Sequence, residues 1–132
     1  MQTFLPYPSF IESAHCLDYR RLGKQRVEAR QILNALKNGG AWQNHPAVKM
    51  WRGYETALIF YGNCMITEWI FRGYNNSMEI IDIGHDEIIC PPFVGSKEFH
   101  ASHRSNLLRK DYDYYSKFGW KEPSDLEYVW PV

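Results

Sequence analysis

The sequence contains few cysteines and none of the spacings on which cysteine-based sites depend. Cys16, Cys64 and Cys90 are the only three, and their odd number and wide separation argue against a disulfide framework or a zinc ribbon. The N-terminus lacks the basic, apolar and small-residue succession of a secretory signal. No apolar run is long enough to span a bilayer. These absences predict a reduced, intracellular and therefore cytoplasmic protein without a membrane segment.

Several catalytic and cofactor motifs are also missing. The chain has no Walker-type or Rossmann glycine pattern and no GxSxG nucleophile motif. His100 and His103 lie three residues apart, but no third metal ligand follows them at a characteristic spacing. We therefore expect neither a metal nor a cofactor, and the chemistry left to this chain is that of its amines and carboxylates.

Positive charge is concentrated in two stretches, although the formal net charge of the chain is zero. Residues 18–30 carry five basic and two acidic side chains, and residues 97–110 carry four basic and one acidic. Residues 111–132 carry two basic and five acidic side chains. This segregation is typical of a protein with one positive face, which suits a polyanionic partner such as nucleic acid.

The spacing of apolar residues predicts a compact all-α fold, a single-domain bundle over residues 1–132 with about three main helices. The central helix spans residues 17–36 and has one apolar face. Residues 54–71 are apolar nearly all round, so this second helix belongs in the middle of the domain. Residues 100–110 form the third helix.

The remaining segments are predicted to be shorter or irregular. Ser9 and Glu12 have the spacing of a capping box and predict a short first helix. The isoleucines of residues 75–99 indicate either a short strand pair around residues 84–86 or an irregular loop anchored by those side chains. Residues 117–132 are expected to form a coil that packs on the body through aromatic side chains.

The central helix also carries the most informative polar residues. Arg20, Lys24 and Glu28 are spaced i, i+4 and i+8, so they share one helical face, with Arg21 close beside them. Arg26 belongs to a second basic edge. One interpretation is a solvated face with local ion pairs, each worth about 0.2–0.5 kcal/mol. The other is a polyanion-binding face that contains a catalytic acid.

Amine chemistry is the reaction type that these residues could supply. An uncharged amine can attack C1′ of a sugar, release the base and form an imine. The α-amino group of Met1 is one candidate, because α-amino groups in general have pKa values of about 8. Lys24 is another, with Lys49 as a further lysine candidate, because positive neighbours favour an uncharged amine. Glu28, or else Asp18, would stabilise positive charge on the sugar and transfer protons.

Three strings in the chain carry a family resemblance. They are LDYRRLGKQRVE at residues 17–28, HPAVKMWRGYE at residues 45–55 and FHASHRSNLLRK at residues 99–110. On these strings the chain resembles the pyrimidine-dimer DNA glycosylase (endonuclease V-like) family. The resemblance implies a compact helical fold and double-stranded DNA as the partner. It also implies excision of a cross-linked pyrimidine by an N-terminal amine and a glutamate, followed by strand cleavage through elimination.

The chain departs from the family pattern at the catalytic acid. Where the pattern reads Tyr-Arg-Glu-Leu, residues 19–22 read Tyr-Arg-Arg-Leu, so that Arg21 occupies the place of the glutamate. Glu28 lies two helical turns further on, on roughly the same face, and is our candidate for the acid. The bulky Gln2 should keep Met1 as the first residue, so the amine would be that of Met1. Arg20 carries over from the motif as a ligand of the DNA backbone.

The predicted nucleic-acid interface combines residues from all three strings around a pocket that contains Glu28. The central helix would supply phosphate ligands, the second string the rim of the pocket, and the third a phosphate-binding wall. Its members are Arg20, Arg21, Arg26, His45, Lys49, Arg52, His103, Arg104, Asn106 and Lys110.

Three functions are compatible with this reading. The first is a DNA N-glycosylase, with or without lyase activity, that acts on damaged or modified pyrimidines. The second is a non-catalytic nucleic-acid-binding module on the same fold. The third is an enzyme that acts on free nucleotides.

Overall fold

The computed structural model describes residues 1–132, and its regular secondary structure is entirely helical, which confirms the all-α prediction. No helix combines the length and the apolar character that crossing a membrane requires. A 3₁₀ turn at Ser116–Phe118 follows the last of six α-helices. These are α1 (Phe10–Cys16), α2 (Tyr19–Asn38), α3 (Pro46–Lys49), α4 (Glu55–Phe71), α5 (Lys97–Lys110) and α6 (Tyr112–Tyr115).

The core forms where α2 packs against α4, and α1 also packs against α4. Gly62 in α4 allows the two long helices to approach closely, since a Cβ at this position would lie 3.3 Å from the Cβ of Ala29 in α2. The apolar stripe of α2 and the apolar side of α4 are buried against each other, as their hydrophobic spacing predicts. The most deeply buried of these side chains are Leu22, Ile32, Leu58, Tyr61 and Met65.

Gly23, in the first half of α2, makes room for an aromatic ring. A Cβ at Gly23 would lie 2.9 Å from the indole of Trp69, closer than real Cβ contacts allow. Trp69 stacks on Tyr19 with a centroid separation of 5.7 Å, and the guanidinium carbon of Arg26 lies 4.2 Å from the indole centroid. The close approach of an aromatic side chain of α4 therefore explains why this position has no side chain.

The segment between α4 and α5 is an irregular loop, so the strand-pair alternative is wrong. The side-chain amide of Asn63 donates to the carbonyl of Ile81 at 2.8 Å and accepts from its N–H at 3.1 Å. Ile81 and Ile88 pack against the core, as the loop alternative requires. After α6 the chain continues as coil over α5, where Ser105 and Ser102 accept backbone N–H groups of the tail.

Residues 1–8 are extended, and their backbone polar groups bond mainly to side chains of the helices. Leu5 is enclosed by two imidazoles of α5. Its N–H donates to Nδ1 of His103 at 2.8 Å, and its carbonyl accepts from Nδ1 of His100 at 2.7 Å. Nε2 of His100 accepts from the N–H of Gly95. Each imidazole therefore needs one unprotonated nitrogen, and both histidines must be neutral to make these bonds.

Other residues of the segment are held by side chains from α4, from α5 and from the turn that follows α3. Trp51 donates from Nε1 to the hydroxyl of Thr3 at 3.1 Å. The hydroxyl of Tyr61 lies 2.9 Å from the carbonyl oxygen of Phe4. Arg104 donates to the carbonyl of Pro6 at 2.7 Å. Most of the backbone groups named here thus have a hydrogen-bond partner although the segment belongs to no helix or strand, and these bonds fix it in one position.

The two imidazoles of α5 make the stability of the fold depend on pH. Burial lowers the pKa of His100 and holds that of His103 well below its ordinary value of 6.5. As pH falls, the two histidines bind protons in the unfolded chain before they do so in the folded protein. The folded state therefore loses stability relative to the unfolded chain. We expect the free energy of unfolding to be fully retained above about pH 7, and to fall below about pH 6.5 by up to about 1.4 kcal/mol per pH unit for each histidine.

Urea unfolding at about pH 7.5 and about pH 5.5 measures this effect. The matched variant is His103→Asn, in which an amide oxygen can still accept from the N–H of Leu5 but cannot titrate. It should be less stable than the natural protein at the higher pH and show a shallower pH dependence. Equal stability of the natural protein at both pH values would contradict the assignment of neutral, buried imidazoles.

Candidate active site

Glu28 is a nearly buried carboxylate, with only 7% of the residue exposed. Its Oε2 accepts from the side-chain amide of Gln25 at 3.0 Å and from the N–H of Gln2 at 3.4 Å. The ammonium of Lys24 lies 3.6 Å from Oε1 and is itself largely exposed. These hydrogen bonds and the nearby cation offset the cost of burying a carboxylate.

Gln25 joins this carboxylate to the N-terminal segment. Its Nε2 donates both to Glu28 and to the carbonyl of Gln2, the latter at 3.0 Å. Its Oε1 accepts from the N–H of Phe4 at 3.1 Å and from the hydroxyl of Tyr61 at 2.6 Å. All the hydrogen-bonding capacity of the amide is used, and only 1% of the residue is exposed. One buried side chain therefore sets the position of the chain's first residues relative to the acid.

Sequence reasoning missed Gln25, although a signal was present. Gln25 lies on the apolar stripe of the central helix, between Leu22 and Ala29 at the spacing of buried residues. A polar residue at a core position needs internal hydrogen-bond partners. The pattern could have marked Gln25 as unusual, but it could not have identified partners that lie more than twenty residues away.

His45 is the N-cap of α3. Burial, together with the positive charge of the amino terminus, lowers the pKa of His45. Nδ1 of this imidazole accepts from the N–H of Ala47 at 3.0 Å, so the neutral ring carries its proton on Nε2. The Nε2–H of His45 is therefore available as a hydrogen-bond donor.

Two hollows flank the pair formed by Met1 and Glu28, and these two residues line both of them. The first, which we call the basic hollow, has a volume of about 330 Å³. The second, which we call the neutral hollow, has a volume of about 450 Å³. Cations from α2 and α5 line the basic hollow: Arg20, Arg21, Lys24 and Lys110. Amides, small residues and one indole line the neutral hollow: Gln31, Asn34, Ala35, Gly39, Gly40, Ala41 and Trp42.

The cations of the basic hollow differ in how far they are neutralised. Arg21 pairs with Asp18 at 3.2 Å, and the same carboxylate accepts from the hydroxyl of Tyr115. Asp18 is thereby turned away from both hollows, which leaves Glu28 as the carboxylate of the site. Arg20 and Lys110 are exposed and form no ion pair within the protein, so they remain available for an anionic partner.

Most of the predicted phosphate-binding wall on α5 faces the interior. His103 is fully buried against the N-terminal segment, and Asn106 is 5% exposed and donates to the carbonyl of Ser102. Arg104 forms a two-pronged ion pair with Glu122 at 2.8 and 3.0 Å, and hydrogen bonding from Arg104 lowers the pKa of that carboxyl. The structure brings only Lys110 of this group to the candidate site.

Three further predicted residues lie away from Glu28. Lys49 and Arg52 line a separate hollow together with the end of the chain, and Arg52 donates to the carbonyl of Gln43 at 2.9 Å. Arg26 donates to Asn76 at 2.7 Å on the other edge of α2. The expectation that Lys49 and Arg52 share a pocket with Glu28 is therefore not met, because α3 and the turn after it place them on another surface.

The assembled site contains an α-amine, a carboxylate and several cations, with no group of three or more His, Cys, Asp or Glu side chains arranged to hold a metal ion. The amine can act as a nucleophile, and the carboxylate can transfer protons or stabilise positive charge. The free cations can bind phosphate groups.

Among known proteins, no curated protein and no solved structure matches the chain. A family model described as pyrimidine dimer DNA glycosylase matches residues 1–82, a span that includes α1 to α4 and every residue of the two hollows except Lys110. Since the match covers more than half of the sequence, the chain belongs to the pyrimidine dimer DNA glycosylase family.

Proposed function

We propose that this DNA glycosylase removes damaged or modified pyrimidines by using the α-amine of Met1 as its nucleophile and Glu28 as its acid–base group. The observation that carries the proposal is the placement of Met1 and Glu28 on the wall shared by both hollows. Gln25 supports it, because its amide bonds to the carboxylate and to the segment that bears the amine.

In the proposed reaction the uncharged amine attacks C1′ of the target nucleotide. A bond forms between the amine nitrogen and C1′ while the glycosidic bond breaks, and the base leaves with the bonding electrons and takes up a proton. Opening of the sugar ring breaks the bond between C1′ and O4′ and gives an imine. Glu28, as the carboxylate, stabilises positive charge on the sugar and accepts the proton that the amine nitrogen gives up after bonding to C1′. It passes this proton to O4′ as the ring opens, and the departing base takes its proton from water.

Strand cleavage would follow from the imine. Removal of a proton from C2′ expels the 3′ phosphate by elimination, and hydrolysis of the imine then releases the enzyme. This lyase step is part of the proposal and needs no residue beyond those already named. The exposed Arg20 and Lys110 would hold the DNA backbone while both steps proceed, because they are unpaired cations at the edge of the basic hollow.

Borohydride trapping tests the nucleophile and the acid. With a duplex that contains one abasic site, the natural protein should form a covalent adduct that peptide mapping locates on the nitrogen of Met1. Glu28→Gln should slow adduct formation by about 10²- to 10⁴-fold, the usual contribution of a positioned acid–base group. Lys37→Ala, which removes an exposed lysine of α2 outside both hollows, should have no effect.

The same experiment separates the alternatives. Intact-mass analysis of the protein establishes whether Met1 is retained as the first residue and therefore carries the α-amino group. An adduct that maps to Lys24 and is lost in Lys24→Ala would show that Lys24, and not the amine of Met1, is the nucleophile. If no adduct forms and DNA binding is retained, the result would indicate that the protein is a non-catalytic nucleic-acid-binding module. Tight mononucleotide binding without preference for a polymer would indicate an enzyme of free nucleotides.

Salt dependence of DNA binding tests the phosphate contacts. Arg20→Ala and Lys110→Ala should each weaken binding to any duplex and reduce the slope of log K against log salt by about 1. Lys121→Ala, which removes an exposed lysine of the tail, is the matched control and should leave the slope unchanged.

Arg104→Ala should behave differently from these variants. Because Arg104 bonds to Glu122 and to the carbonyl of Pro6, its loss should lower the temperature of unfolding and leave the salt slope unchanged. A reduced slope for Arg104→Ala, with no change for Arg20→Ala, would place the DNA on another surface.

A further inference from the structure

We infer that a third hollow, lined by Lys49 and Arg52, binds a phosphomonoester: the terminal phosphate of a nucleotide or of a nucleic-acid strand. We call it the Lys49–Arg52 hollow. It has a volume of about 360 Å³, and residues 49–54, 92–93 and 131–132 contribute to its walls. The inference goes beyond the proposed function, because it assigns a ligand to residues outside the two hollows beside Glu28 and requires no chemistry at Met1.

The positive charges of this hollow are uncompensated. Lys49 and Arg52 are both exposed, and neither belongs to an ion pair of the protein. No Asp or Glu side chain lines the hollow. The nearest carboxylate along the chain, that of Glu55, accepts from the N–H of Gly53 at 3.2 Å. Two cations around one concavity attract an anion, and they attract a doubly charged anion most strongly.

A fixed turn holds the two cations in place. Met50 and Trp51, which separate them in the sequence, are both buried. The backbone N–H of Arg52 donates to the carbonyl of Lys49 at 3.1 Å. The guanidinium of Arg52 donates to the carbonyl of Gln43 at 2.9 Å, which leaves its other N–H groups for a ligand. Because the turn is fixed in advance, binding costs little conformational entropy.

The number and type of the cations suit a phosphomonoester. A guanidinium can bond to two phosphate oxygens at once, and an ammonium attracts phosphate as a point charge. A phosphomonoester carries a charge of about −1.5 to −2 at neutral pH, which matches two cations. A phosphodiester within a strand carries a single negative charge. The hydroxyl of Tyr54, which makes no hydrogen bond within the protein, can donate to a further phosphate oxygen.

The uncharged part of the lining is mainly apolar and includes Met50, Pro92, Phe93 and Pro131. Inorganic phosphate would leave this surface in contact with water, whereas the sugar and base of a nucleotide would cover it. Removing apolar surface from water is favourable. The lining therefore favours a nucleotide over free phosphate.

Isothermal titration calorimetry with four probes tests the inference. The probes are thymidine 5′-monophosphate, its methyl phosphodiester, thymidine and inorganic phosphate. The natural protein should bind the monophosphate about tenfold more tightly than each of the other three, because each of them lacks either a charge-assisted contact or the apolar contact.

Variants assign this preference to the hollow. Lys49→Gln and Arg52→Gln should each weaken binding of the monophosphate by about tenfold, because each removes one charge-assisted contact. Lys49 makes no hydrogen bond within the protein, so Lys49→Gln should leave the temperature of unfolding unchanged. Lys97→Gln, which removes an exposed lysine of α5 outside the three hollows, is the matched control and should bind like the natural protein.

A pair of duplexes separates the two sources of the phosphate. The duplexes are identical except that one strand ends in a 5′ phosphate in the first and in a 5′ hydroxyl in the second. If a strand end is the ligand, the phosphorylated duplex should bind more tightly, and Lys49→Gln should remove the difference. If a free nucleotide is the ligand, the two duplexes should bind equally while the preference for the monophosphate remains.

Two results would overturn the inference. One is a natural protein that shows no preference for a phosphomonoester, either among the small probes or between the two duplexes. The other is a preference that survives in both Lys49→Gln and Arg52→Gln; its loss in Arg20→Ala instead would place the phosphate in the basic hollow. Borohydride trapping on an internal abasic site measures the chemistry at Met1, so the proposed function and this inference can fail independently.

Discussion

The interaction on which the site depends is the attachment of residues 1–8 to the helices by buried side chains. An extended segment inside a protein has backbone donors and acceptors that cost about 1–3 kcal/mol each when they are left unpaired. Here the partners are side chains from several helices, and Gln25 is the one that also contacts the candidate acid. Because these bonds hold the segment in one register, they also place the first residue beside Glu28.

Under the proposed function Glu28 serves as the acid, whereas the sequence resemblance implies an acid at the position of Arg21. The arginine is directed to Asp18, which is in turn bonded to Tyr115, and this set belongs to the junction of α2 with α6. Glu28, two turns further along α2, faces the N-terminal segment. The position of the acid on the helix and the course of that segment are thus linked, and a change in one would require a change in the other.

The sequence predicted the elements of the fold well and the membership of the site only in part. Periodicity located α2, α4 and α5, and helical spacing grouped Arg20, Lys24 and Glu28, because both are local properties of a chain. Periodicity could not show that Arg104 pairs with Glu122, or that His103 is buried under the tail. It also could not show that the short helix α3 and the turn after it place Lys49 and Arg52 on another surface. Those outcomes depend on contacts between residues that are distant in the chain.

The measurement that tests the account most directly is the single-turnover rate of imine formation by Gln25→Met on a saturating abasic-site duplex. Methionine has a similar length and keeps the core filled, but it cannot bond to Gln2, Phe4 or Glu28. The account predicts that the variant folds and binds the duplex with unchanged affinity, and that its rate falls by about 10²-fold because the amine is no longer held beside the acid. An unchanged rate in a folded variant would contradict it.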